Sequence, residues 1–151
     1  MKKAFTMIEL IFVIVIIGIL ASVALPRLSA TRDDAKASIL AKAIQSVKAE
    51  ISSAILANNR VPTTTSEMIK VSNTLRDLSN FILVNNKVID IVDTDDNSSV
   101  CKRITIDDSD ISNIKLTLTD GTGDTAICKG VKRLISDNNT SFTIAGNLVN
   151  Y

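Results

Sequence analysis

The chain has no histidine, so it lacks both the commonest general base and the commonest transition-metal ligand. Ser-His-Asp and Cys-His arrangements are excluded on that ground. The remaining reactive groups are carboxylates, amines and two thiols. Cys101 and Cys128 enclose 26 residues and can form either a bridge or two separate thiols. A metal site built on two cysteines and no histidine is not expected. The acids gather: Asp90, Asp93, Asp95, Asp96, Asp107, Asp108 and Asp110 fall within 21 residues. Asp93-x-Asp95-x-Asn97 opens like a calcium loop. However, Ser98 stands where such a loop needs its turn glycine, and Ile104 where it needs the bidentate glutamate. An EF-hand is therefore excluded. Weak calcium binding at Asp93 and Asp95 stays open beside the simpler reading of solvated loops. No enzymatic activity is expected, because no carboxylate pair lies in a recognisable catalytic setting.

The elements that must carry these groups are set by an uneven distribution of apolar residues. With 46% hydrophobic and 22% charged residues, the chain is not globally disordered. Between Phe5 and Leu25 the only polar side chains are Thr6, Glu9 and Ser22, and Leu10 to Ala21 contains none. As a helix these 21 residues would span about 31 Å, one hydrocarbon core. Lys2 and Lys3 precede the run and Arg27 and Arg32 follow it. Residues 29–151 carry 14 basic and 15 acidic side chains, a near-neutral balance that suits a soluble domain held by one apolar segment. A formal net charge of +1 and five aromatics (Phe5, Phe12, Phe81, Phe142, Tyr151) give no basis for strong nucleic-acid binding.

Three readings of the N-terminus compete. A secretory signal peptide would use Ser22-Val23-Ala24 as its small-x-small cleavage site. A plain transmembrane anchor would keep every residue. Neither has a use for Glu9, a carboxylate that costs several kcal/mol in lipid unless it is paired, protonated or interfacial. The third reading rests on Lys2-Lys3-Ala4-Phe5-Thr6-Met7-Ile8-Glu9-Leu10, continuing through Gly18 to Pro26. This stretch closely resembles the N-terminus of type IV prepilins and of type II secretion pseudopilins. The resemblance covers about 30 residues of the 151. It implies cleavage between Ala4 and Phe5 by a prepilin peptidase on the cytoplasmic side, N-methylation of Phe5, and retention of the apolar helix. Ala4 departs from the glycine usual in the family but keeps the small size, so processing is still expected.

Cleavage would expose an α-amine at Phe5 that is cationic near neutrality. Burying an amine and a carboxylate together offsets part of the desolvation each suffers alone. Phe5 and Glu9 are four apart on one helix, so they could pair within a subunit. The resemblance instead implies pairing with a neighbouring subunit, which would set axial register during assembly. Pro26 has no N–H and crowds the carbonyl of Ser22, so a kink is expected there. With Gly18 it makes 18–26 the weakest part of the helix. In the resembling family this stretch can lose helicity in the filament; an ordinary kinked membrane helix is the alternative.

Beyond Pro26 the apolar residues become periodic. Leu40, Ile44, Val47, Ile51 and Ile55 form one stripe, and Asn58-Asn59 with Pro62 ends it. Phe5–Ala57 would be one helix of 53 residues, about 80 Å long. Thr65 or Ser66 is expected to cap a short helix around Glu67–Ser79. Period-2 patterns predict strands at Lys87–Val92, Val100–Ile106 and Asn113–Thr119. Asp120–Asp124 is a turn, and Thr125–Ile135 a short helix weakened by Gly130. Ser141–Ala145 and Leu148–Tyr151 would form a hairpin about Gly146-Asn147. The expected fold is α+β, a long helix on a small antiparallel sheet. The expected parts are a leader (1–4), a transmembrane and assembly helix (5–28), and a pilin-like globular domain (29–151) that includes the amphipathic helix 29–57.

If that domain lies outside the inner membrane, a Cys101–Cys128 bridge is expected to persist and to stabilise by roughly 3–4 kcal/mol. The resemblance adds that such a bridge is common in pilins and less so in major pseudopilins. It also makes Asp120 and Asp124 calcium candidates, since some pseudopilins hold calcium in an acidic C-terminal loop. Lys102, Arg103, Lys129, Lys132 and Arg133 flank the cysteines, and a bridge would gather them into a patch facing the acidic cluster of a neighbouring subunit. The function implied is that of a filament subunit in the inner membrane with a periplasmic C-terminal domain, destined for a pseudopilus or a surface pilus. Its implied partners are other pilin-like subunits, inner-membrane lipid, the prepilin peptidase, an assembly ATPase and a platform protein. The rival is an anchored or secreted monomeric binding domain that forms no filament.

Overall fold

The computed structural model describes residues 5–110, 113–136 and 140–146. Helix α1 runs from Met7 to Asn58, 52 residues or about 78 Å. Its N-cap is Thr6, and Asn59 closes it in the left-handed conformation at φ 50°. The predicted stripe is its buried face: Leu40, Ile44, Val47, Ile51 and Ile55 are all at most 2% exposed. No residue of α1 before Ala37 is buried. The first half of the helix therefore extends free of the domain and the second half forms its spine.

Five antiparallel strands follow one another in space as in sequence: β1 (Phe81–Asn85), β2 (Val88–Val92), β3 (Val100–Asp107), β4 (Asn113–Asp120) and β5 (Thr140–Gly146). Period-2 alternation turns Ile89 and Ile91, Ile104 and Ile106, and Ile114, Leu116 and Leu118 to one face. These seven join the α1 stripe in a single core. The short helices α2 (Thr65–Val71) and α3 (Asn73–Asp77) follow α1, and α4 (Ala126–Leu134) crosses between β4 and β5.

The α+β architecture is as expected, with three local corrections. The segment after Thr63 is two helices, not one. Ser72 interrupts it, accepting from the Leu75 amide at 3.1 Å and donating to Glu50 of α1, which also takes the Thr74 amide at 3.2 Å. The cap of α2 is Thr64, one residue before Thr65 and two before Ser66, and its hydroxyl accepts from the Glu67 amide. Strand β1 is an addition. Its Phe-Ile-Leu-Val run lacks alternation because the edge strand carries apolar side chains on both faces: Phe81 is buried, whereas Ile82 and Val84 are exposed. The far arm of the predicted hairpin, Leu148–Tyr151, lies outside the described residues.

Candidate assembly helix and its attachment to the domain

The N-terminal end of α1 is held by a reciprocal capping box. The Thr6 amide and hydroxyl both donate to Glu9 Oε2, at 3.2 and 3.0 Å, while the Glu9 amide donates to Thr6 Oγ1 at 3.3 Å. Glu9 is thus engaged within its own chain, although with Thr6. Beyond it the side chains project outward unpartnered: Phe12 is 68% and Leu20 66% exposed. The most apolar 18-residue window of the helix has a mean hydropathy of 2.9, with none of it buried. That is long and apolar enough to cross a bilayer. A Cβ at Gly18 would meet nothing within 4 Å. The helix continues through Gly18 and Pro26, and Ser22, whose carbonyl faces the missing Pro26 donor, turns its hydroxyl to Ile19 O at 2.7 Å.

Where α1 enters the domain, several contacts fix it. Lys36 forks onto both carboxylate oxygens of Asp95, at 2.5 and 2.7 Å, and Arg32 stands 3.7 Å from the same group. The Lys36 hydrogen bond holds the Asp95 carboxyl below the usual aspartate range. Asp34 accepts from Arg133 of α4 at 3.0 Å. Between these polar ties, Gly130 of α4 lies against Ala37; a Cβ at Gly130 would stand 2.6 Å from the Ala37 Cβ. The glycine that weakens α4 by propensity is what lets the two helices approach.

Cys101 and Cys128 form a disulfide, with Cα atoms 4.7 Å apart, joining β3 to α4. The two sulfurs and the Asp93 carboxylate lie within 4.8 Å of one another, but the sulfurs are bonded together and are not available as a ligand set. Asp93 accepts from the Asp95 amide at 2.7 Å and from the Thr125 hydroxyl. Asp120 pairs with Lys102 at 2.6 Å and Asp124 with Lys129 at 3.1 Å, while Lys132 donates to the Gly121 and Gly123 carbonyls between them. All four carboxylates suggested for calcium are therefore already held by cations or donors of this chain.

The expected five-charge basic patch does not form. Lys102 is fully buried on the core side of β3, where it donates to Ile135 O at 2.8 Å. Arg103 points to the other face and forks onto Asp90 at 2.5 and 2.8 Å. Lys129, Lys132 and Arg133 are each engaged as described above. Sequence reasoning missed the Lys36–Asp95 and Asp34–Arg133 ties, whose partners stand 59 and 99 positions apart with no local pattern linking them.

Comparison with curated proteins and with solved structures gives no match. Residues 1–25 do match a family model, described as the prokaryotic N-terminal methylation motif. The matched stretch holds the Ala4–Phe5 junction, the Thr6–Glu9 box and the apolar run to Leu25. The chain thus carries a prepilin-type N-terminal methylation motif on a membrane-capable helix, consistent with the type IV pilin and pseudopilin family.

Proposed function

We propose that this protein is a structural subunit of a type IV pilus-like filament, as pilin or as secretion pseudopilin. In this reading, prepilin peptidase cuts between Ala4 and Phe5 and methylates the Phe5 amine. The subunit waits in the inner membrane with residues 29–151 in the periplasm. An assembly ATPase and a platform protein then move it into a polymer with other pilin-like subunits. The observation that carries the reading is the division of α1: a methylation motif leads a helical half with no buried residue, continuous with a half that is a domain spine. Such a surface is stable only in lipid or packed against like helices. Glu9, exchanging its Thr6 bonds for the Phe5 amine of a neighbour, would set register. Gly18 and Pro26 would let 18–26 yield as the helices pack.

The test is the intact mass and N-terminal sequence of the protein from its native membranes. N-methyl-Phe5 is expected; a start at Leu25 would mean that signal peptidase had removed the helix, and the filament reading would fall. A Glu9→Ala variant should be cleaved normally yet yield at least tenfold fewer filaments by shearing and electron microscopy.

A further inference from the structure

We propose that Asn97 is an acceptor for N-linked glycosylation, taking an oligosaccharide from a polyprenyl-diphosphate carrier through a membrane oligosaccharyltransferase. The loop between β2 and β3 reads Asp95-Asp96-Asn97-Ser98-Ser99, an Asn-x-Ser acceptor with a non-proline centre. A carboxylate two residues before the asparagine gives a transferase an anionic handle beside the Ser99 hydroxyl.

The structure presents this acceptor. The loop closes at a neck where the Asp93 amide donates to Ser99 O at 2.9 Å. Asn97 and Ser98 form the turn at its tip, and both are exposed. Among the described residues, the Asn97 carboxamide makes no hydrogen bond. The tip is shaped by Asp96, which accepts from the Ser98 amide at 3.0 Å and from the Ser98 and Ser99 hydroxyls at 2.5 Å each. These bonds lie at or near the surface and open at little cost, which frees the Ser99 hydroxyl for recognition. The Asp95 pairs with Lys36 and Arg32 are solvent-exposed and exchange readily for a cation of an enzyme.

Those same pairs place the loop beside the first turns of α1 beyond its apolar run. Arg32 and Lys36 stand 7 and 11 residues past Leu25, roughly 10–17 Å along the helix. The acceptor is therefore held just off the membrane surface from which a lipid-linked donor is delivered. This placement rests on the proposed periplasmic position of the domain. In the transfer, Asn97 Nδ2 forms a bond to the anomeric carbon as the bond from that carbon to the diphosphate oxygen breaks. Nδ2 gives up one proton to a base of the transferase, and polyprenyl diphosphate leaves with the electron pair. No oxidation or reduction is involved. A second run of the pattern, Asp137-x-Asn139-x-Ser141, falls largely outside the described residues and carries no part of the proposal.

The test uses protein from native membranes, reduced and digested with trypsin, with the peptide Val88–Lys102 weighed by mass spectrometry. The expected result is this peptide carrying an added saccharide mass. That mass should be lost in Asn97→Gln, Ser99→Ala and Asp95→Asn variants and kept in Asp95→Glu. A bare peptide in the unaltered protein, or an added mass that survives Asn97→Gln, would overturn the proposal. The N-terminal peptide of the same digest separates the two readings. N-methyl-Phe5 with a bare Val88–Lys102 peptide removes the glycan and leaves the filament; a glycosylated peptide on a chain starting at Leu25 does the reverse.

Discussion

Glu67 accepts from both terminal nitrogens of Arg60 at 3.2 Å and from the Thr63 amide at 2.8 Å, and its carboxyl is held down to about 2. Asp95, Asp96 and Asp107 are likewise lowered, mainly by hydrogen bonds from Lys36, Ser98 and Ser109. At Glu50 burial pushes the pKa up, but the Ser72 and Thr74 bonds overcome it and the net direction is down. A carboxyl whose folded pKa is depressed binds fewer protons folded than unfolded. Its stabilisation is complete above the unfolded value, about 4, and drains away as pH falls through the folded one. Urea melts should therefore show stability falling from about pH 4.5 toward 2, with a shallower fall in a Glu67→Gln variant. Lys102 is a different case, because its ammonium is buried, paired with Asp120 and donating to Ile135 O. A Lys102→Met variant should lose about 1–3 kcal/mol in the same melts, since both acceptors are left short of a donor. By residue type a lysine beside an arginine reads as surface, so the sequence puts Lys102 in a surface patch; the alternation it shares with Ile104 and Ile106 is what turns it to the core face.

At the level of elements, the stripe of α1 and four of the five strands were legible because polar and apolar residues recur along each with a fixed period. Strand β1 was not, since four consecutive apolar residues fit a strand or a helix equally. The α2–α3 break was hidden for another reason: it is imposed by Glu50, more than 20 residues upstream. Helix α4 was legible, but the reason for its glycine was not. Gly130→Ala should raise the propensity of α4 yet destabilise the protein, by about 1–3 kcal/mol of thermal or urea stability, because the new methyl meets the Ala37 Cβ. An Ala37→Gly change in the same chain should recover part of that loss, which a helix-propensity effect alone would not allow.

As a whole, the molecule divides at the point where α1 acquires its first buried residue, Ala37. Removing residues 1–28 should leave a domain that is monomeric without detergent by gel filtration, with a melting temperature within a few degrees of the full chain in detergent; a large drop would show that the apolar half supports the domain. The apolar half of α1 was legible as a helix long enough to cross a bilayer, because that signal lies in composition over some 20 residues and needs no tertiary context. The attachment of the domain was not, because it depends on pairs that only the finished topology brings together. That attachment also sets how the molecule would respond to tension. A pull along the axis of α1 reaches the sheet partly through α4, which grips α1 by the Gly130–Ala37 contact and the Asp34–Arg133 pair. Helix α4 is in turn riveted to β3 by the Cys101–Cys128 bond. Oxidised, the clamp cannot peel away from the sheet under load; reduced, the same pull would be borne by non-covalent contacts alone, and the domain would yield at a lower force.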